Sequence, residues 1–274
     1  MDNNPLRQYF RRPSVYIKLP SGGVGYSPDD LIIPESGELP VYPMTAIDEI
    51  TIRTPDALFN GTAIAELIKS CIPNVKNPWA VTSNDMDAIL IGIKAASGSE
   101  TLDIDSMCPS CEEISSYGVN LVSTLSTLKS GDYLSELEIN HFRIKFRPLT
   151  FKELNEAGLK QFELQKLIKS LDTETDLDQR DKAGYEIVER VTLLTMELVA
   201  ASVEHVKTGT VEVKETEFIL DFLKNCDKNI YNAIRDRNAE LKSGTELKPL
   251  QVTCPSCSHE YEQPFTLNPA DFFE

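Results

Sequence analysis

Two identical tetrapeptides, Cys108-Pro-Ser-Cys111 and Cys254-Pro-Ser-Cys257, constrain this 274-residue chain more than any other feature. A Cys-x-x-Cys turn brings two thiols to one point, and two such turns supply the four soft ligands of a closed tetrahedral metal site. The flanking residues agree. Leu102-Asp103-Ile104 leads into the first turn and Leu250-Gln251-Val252 into the second, each as a short alternating strand. Tyr117–Val119 and Tyr261–Phe265 offer the return strands. This is the plan of a zinc ribbon, with one departure: 142 residues lie between Cys111 and Cys254, where a compact ribbon has about 15–20. Closing a long loop costs little more than closing a short one, because the entropy grows logarithmically with length. The expectation is therefore one structural zinc held by Cys108, Cys111, Cys254 and Cys257, at the base of an inserted subdomain. Two alternatives stay open. One is a thioredoxin-like redox pair, disfavoured because neither turn joins a strand to a long helix; the other is cysteines used separately, without metal. Cys71 and Cys226 fall on apolar helical faces and read as core thiols. His259 is set aside because four thiols already fill the coordination sphere.

The rest of the chain reads as α+β. Val15, Ile17 and Leu19 alternate with Tyr16 and Lys18, and Leu31–Ile33, Val41–Tyr42 and Ile47–Ile52 offer further short strands between prolines. Thr54-Pro55-Asp56 opens a helix that Pro73 stops, with Gly61 as a potential break; a second helix runs from about Ser83 to Ser97-Gly98. A β-ribbon is expected at Leu137–Ile139 and Phe142–Phe146. Thr150-Phe151-Lys152-Glu153 is a capping box that starts a long helical stretch. Thr173–Lys182 reads as a polar loop, a second long helix carries Tyr185 to Val199, and two more follow a break at Gly209. The division expected is an N-terminal α+β domain over 1–100, a split zinc-ribbon region over 101–148 and 245–274, and an antiparallel helical insertion over 149–244.

Composition removes several classes of function. With 27 Lys and Arg against 43 Asp and Glu, the net charge is −16 at pH 7, so the chain as a whole is repelled by nucleic-acid phosphates and by anionic membranes. Glu112, Glu113, Glu260 and Glu262 put further negative charge around the cysteine turns, against a nucleic-acid-binding or regulatory zinc ribbon, which is the alternative function. No apolar run approaches a membrane span, and the opening MDNNPLRQYFRRP lacks the apolar core of a secretory signal. The phosphate-cradling, nucleophile-elbow and zinc-protease motifs are absent, and a four-thiolate metal has no open position for substrate. No enzymatic role is expected.

One basic and aromatic patch stands out near the N-terminus: Arg7, Tyr9, Phe10, Arg11 and Arg12. It is either a surface arm tucked on its own domain or a docking arm for an acidic partner protein, since Arg, Tyr and Phe are favoured interface anchors. Asp271-Phe272-Phe273-Glu274 is either a second docking tail or a frayed end.

The segments PLRQYFRRPSVYIKLPSGG, GELPVYPMTAIDEITIRTPDALFNGTAIAELIKSCIPNVKNPW and DMDAILIGIKAASGS resemble the baseplate protein family of T-even-type contractile-tailed bacteriophages, whose members belong to the baseplate hub and central spike region. The resemblance implies a late virion or tail-assembly protein, made in the host cytoplasm and fitted into the tail baseplate. Its implied partners are other hub or central spike proteins, with a homo-oligomer within the tail left open, and no nucleic acid or membrane. It carries over no catalytic residues.

Overall fold

The computed structural model describes residues 4–171, 177–265 and 267. The chain divides into two compact units, one made of residues up to Ser130 and from Thr245, the other of Gly131–Gly244.

In the first unit, Val15–Ile17 (β1) pairs antiparallel with Leu39–Val41 (β2), Val15 opposite Val41 and Ile17 opposite Leu39. Pro40 is tolerated because both strands of a two-stranded ribbon are edges. Leu31–Ile33 forms no strand; Leu31 makes only an isolated bridge to Val75. Ile47–Ile52, expected as a strand, lies in a helix, Ala46–Ile52 (α1). Its start is fixed by a capping box: the Thr45 hydroxyl accepts the Asp48 N–H at 3.2 Å, and the Asp48 carboxylate accepts the Thr45 N–H at 2.7 Å. That cap outweighs the strand preference of the isoleucines, and Ile47 and Ile50 project into solvent.

Pro55–Phe59 (α2) and Thr62–Cys71 (α3) are separated by Gly61 at φ 77°. The Thr54 hydroxyl, expected to cap α2, instead donates to the Ile50 carbonyl. Ser83–Ala96 (α4) follows. Thr101–Met107 (β3) and Ile114–Asn120 (β4) then form a hairpin across the first cysteine turn, and Leu121–Thr127 (α5), absent from the sequence reading, is capped by the Asn120 side chain. α4 is apolar nearly all round, with Ile89, Leu90, Ile91 and Ile93 at most 1% exposed, because β1, β2, α3 and α5 all pack on it. At Gly92 a Cβ would sit 2.9 Å from Ile17 Cγ2, so this close helix–strand approach requires a bare Cα.

The second unit corrects the expectation of a helical insertion. Leu137–Ile139 (β5) and Phe142–Phe146 (β6) belong to a four-stranded antiparallel sheet completed, after the helices Phe151–Leu171 (α6) and Leu177–Ala201 (α7), by Val203–Thr208 (β7) and Val211–Val213 (β8). The hairpin between β7 and β8 turns at Gly209, φ 56°. Thr216–Asn225 (α8) and Lys228–Ser243 (α9) contribute Ile219, Leu223, Ile230 and Ile234 to one core with Ile144, Phe146 and Val206 of the sheet. The capping box at α6 is present, and Arg147 clasps Glu153 with two bonds of 3.0 and 2.6 Å. Lys160 meets Glu197 at 2.7 Å across the contact between α6 and α7. Residues 177–182, expected in a loop, open α7; Thr173–Asp176 lie outside the described residues, as does Asp271–Glu274.

The chain then returns to the first unit, where Leu250–Thr253 (β9) and Glu260–Gln263 (β10) form the hairpin of the second cysteine turn.

Candidate metal centre

Each cysteine turn is built from the same local rules. The Cys108 carbonyl accepts the Glu112 N–H and the Cys108 N–H donates to the Glu113 carbonyl, both at 2.9 Å. The Cys254 carbonyl accepts the Ser258 N–H and the Cys254 N–H donates to the His259 carbonyl, again at 2.9 Å. The residue after each second cysteine, Glu112 or Ser258, turns the chain through the left-handed region at φ 60°. The two knuckles thus share these two backbone bonds and the same turn.

They also converge. All four sulfurs lie within 4.8 Å of one another, with Cys108 Sγ 3.7 Å from Cys257 Sγ and Cys111 Sγ 3.6 Å from Cys254 Sγ. Cys108 and Cys254 are each 1% exposed, whereas Cys111 and Cys257 face solvent. Among the described residues, this is the cluster of His, Cys, Asp or Glu side chains able to hold a metal ion. The Cys257 and Ser256 N–H groups draw the Cys254 thiol down to about 7 against the opposing effect of burial. At Cys111 the Glu113 N–H likewise pulls the thiol down, but the Cys257 sulfur and burial outweigh it and push that thiol up to about 12.

No backbone ladder joins the two hairpins; side chains do. The Ser106 hydroxyl meets the Tyr261 hydroxyl at 3.0 Å and donates to the Gln263 side-chain carbonyl. The Tyr117 hydroxyl donates to the Thr253 carbonyl at 3.3 Å and lies 3.5 Å from that of Tyr261. Contact with Tyr261, followed by burial, pushes the Tyr117 phenol up to about 12. The side chains of Ser106, Tyr117, Tyr261 and Gln263 were not picked out from sequence as contacts between the hairpins; a tyrosine on each return strand was the only signal. His259 stacks on Tyr261, ring centroids 6.1 Å apart, outside the sulfur cluster. Glu112, Glu113, Glu260 and Glu262 are all exposed around it.

The N-terminal patch is divided. Arg11 is an anchor: its guanidinium donates to Ser70 Oγ and the Ser70 carbonyl at 2.7 and 2.8 Å and to Asp48 at 3.3 Å. Tyr9 and Phe10, 77% and 58% exposed, stand out from the surface beside exposed Arg7 and Arg12. A further anchor was not foreseen. Asp85, buried, accepts from the Ser21 N–H, the Ser21 hydroxyl and the Tyr26 hydroxyl at 2.9, 2.6 and 2.8 Å. It pins the 21–26 loop to the start of α4. Burial, then the Asp85 charge, holds the Tyr26 phenol well above its usual range, so it remains a donor.

The histidines sit in structural settings. His141 packs on Phe142, and His205 lies between Glu136 at 3.2 Å and Glu212 at 3.7 Å. No helix among the described residues is long and apolar enough to cross a membrane.

Two hairpins from distant stretches of chain, stitched by side chains around a four-thiol cluster, sit in a protein of mixed α and β class. The chain matches, over residues 34–274, the family described as T4 bacteriophage base plate protein, and it belongs to that family. It is therefore a structural component of a phage baseplate, located in the virion tail. No curated protein and no solved structure matches it significantly.

Proposed function

We propose that this chain is a hub component or hub-assembly factor of the baseplate, acting through protein–protein contacts and without catalysis, and that its four cysteines hold one structural zinc. The observation that carries the metal reading is the convergence of four sulfurs from turns 142 residues apart in sequence. A tetrahedron of zinc–sulfur bonds near 2.3 Å has sulfur–sulfur edges of about 3.8 Å, close to the 3.6 and 3.7 Å separations present. Cys108, Cys111, Cys254 and Cys257 would be the ligands. The metal would supply cohesion: it would fasten the chain just before the second unit to the chain just after it.

The hub assignment draws on the family and on the exposed arm. Tyr9 and Phe10 offer aromatic anchors beside Arg7 and Arg12, with Arg11 holding the arm to its own domain. Such a surface suits an acidic neighbour among the hub or central spike proteins. One preparation tests both parts. Metal analysis of freshly purified protein should give one zinc per chain. In fractionated tail-assembly intermediates the chain should travel with the hub, and the Tyr9→Ala/Phe10→Ala double variant should lose that association while keeping its melting temperature. Metal-free protein as isolated would overturn the zinc reading; co-migration with peripheral wedges would overturn the hub reading.

A further inference from the structure

Each of the two close sulfur pairs joins an exposed cysteine to a buried one. Cys111, exposed, faces buried Cys254 at 3.6 Å, and Cys257, exposed, faces buried Cys108 at 3.7 Å. Both pairs cross from one hairpin to the other. In thiol–disulfide exchange an accessible thiolate attacks a small disulfide, and a neighbouring thiol then displaces the small thiol from the mixed disulfide. Each pair holds one sulfur for each task. Exposed Cys111 and Cys257 are the entry points because only they can meet the reagent, Cys111 reacting the more slowly since its raised pKa leaves little thiolate at neutral pH, and the buried partners, out of reach of an external reagent, are the resolving groups. A baseplate protein is folded in a reducing cytosol and then carried on a virion into oxidising surroundings, where protein disulfides persist.

We propose that this cluster is also a modification site: without bound metal it closes into two disulfides, Cys111–Cys254 and Cys108–Cys257, which preserve the link between the hairpins. The oxidant is a low-molecular-weight disulfide of the oxidised-glutathione class. Cys111 forms a mixed disulfide and expels one molecule of reduced thiol; Cys254 then attacks Cys111 Sγ and expels the second. The same sequence at Cys257 and Cys108 completes the reaction. In sum, four protein thiols become two disulfides, four electrons pass to two oxidant molecules, and four small thiols leave with the four protons. The proposal rests on sulfur positions and on virion location, and it applies to the cluster when no metal is bound.

The test uses the full chain with chelator and oxidised glutathione, followed by non-reducing proteolysis and mass spectrometry. The expected product is lighter by four hydrogens and contains the peptide bearing Cys108 and Cys111 covalently joined to that bearing Cys254 and Cys257. Disulfides confined to each Cys-Pro-Ser-Cys turn, with no joined peptides, would overturn it, as would stable glutathione adducts on all four sulfurs. Two double variants fix the pairing. Cys111→Ser/Cys254→Ser keeps the Cys108–Cys257 pair and should crosslink rapidly, whereas Cys111→Ser/Cys257→Ser keeps only the two buried sulfurs and should crosslink more slowly. Equal rates would refute the exposed-attack, buried-resolution scheme, and the wild-type peptide map stands even if a variant fails to fold.

Discussion

A carboxylate inside the first unit reads as a site of stored electrostatic cost. Burial, followed by the negative charge of Glu246, pushes Asp87 up from 3.8 to about 6. Between those two values the folded chain binds more protons than the unfolded one, so this group's contribution falls as pH rises through the window and its penalty is complete above about 6. The penalty is on the order of 3 kcal/mol at most, at 1.36 kcal/mol per pKa unit. Asp87→Asn should therefore raise the melting temperature at neutral pH and lose that advantage near pH 4; an equal gain at both values, measured by thermal denaturation, would show that charge is not the cause. The knuckles offer a second residue-scale case. Glu112 and Ser258 hold φ 60° without being glycine, a conformation that costs an L-residue about 1–2 kcal/mol. Glu112→Gly should stabilise by roughly 0.5–1 kcal/mol once the added unfolded-state freedom is subtracted, and an unchanged or lowered denaturation midpoint would contradict it.

At the scale of elements, α4 sets the packing of the first unit, and Gly92 is where it touches β1. Alanine there would improve helix propensity by about 1 kcal/mol, but its Cβ would fall 2.9 Å from the stiff, β-branched Ile17, a small-to-large insertion worth about 1–3 kcal/mol of strain. Gly92→Ala should be net destabilising; a raised melting temperature would mean the strand yields easily. Elements were legible in sequence where one signal dominated. Gly61 and Pro73 punctuated α2 and α3, and Thr150 with Glu153 announced α6. Reading failed where two signals competed. Ile47, Ile50 and Ile52 looked like strand residues, yet the Thr45–Asp48 cap made a helix. Val203 to Val213 followed a long helical pattern and was absorbed into a break, although its alternation and Gly209 were those of a hairpin. The cysteine set could be read because Cys-x-x-Cys is chemically specific; Ser106, Tyr117, Tyr261 and Gln263 could not, because nothing local says which residues will meet across 136 to 157 positions.

For the whole molecule, the arrangement leaves cohesion of the two cysteine hairpins to the four-thiol cluster and side-chain bonds, while the rest of the first unit packs on α4 and the second unit has an apolar core of its own. The β3–β4 hairpin and the β9–β10 hairpin are separate two-stranded sheets with no backbone ladder between them, and Met107 and Ile114 are exposed beside the first turn. Two-stranded hairpins of this kind are marginal alone, so a shared metal, with binding free energy that becomes folding free energy, would dominate their stability. The second unit instead gathers Ile144, Phe146, Ile219, Ile234 and their neighbours around its sheet. Chelation should consequently be selective. With reductant present, so that disulfides cannot replace the metal, hydrogen exchange should accelerate in β3, β4, β9 and β10 and stay unchanged in β6 and β7. Cys108→Ala and Cys254→Ala should reproduce that pattern to the same degree, because either empties the same site. Uniform loss of protection in both units would place the metal's influence beyond the ribbon, and no loss anywhere would leave Ser106, Tyr117 and Tyr261 as sufficient to hold the hairpins together.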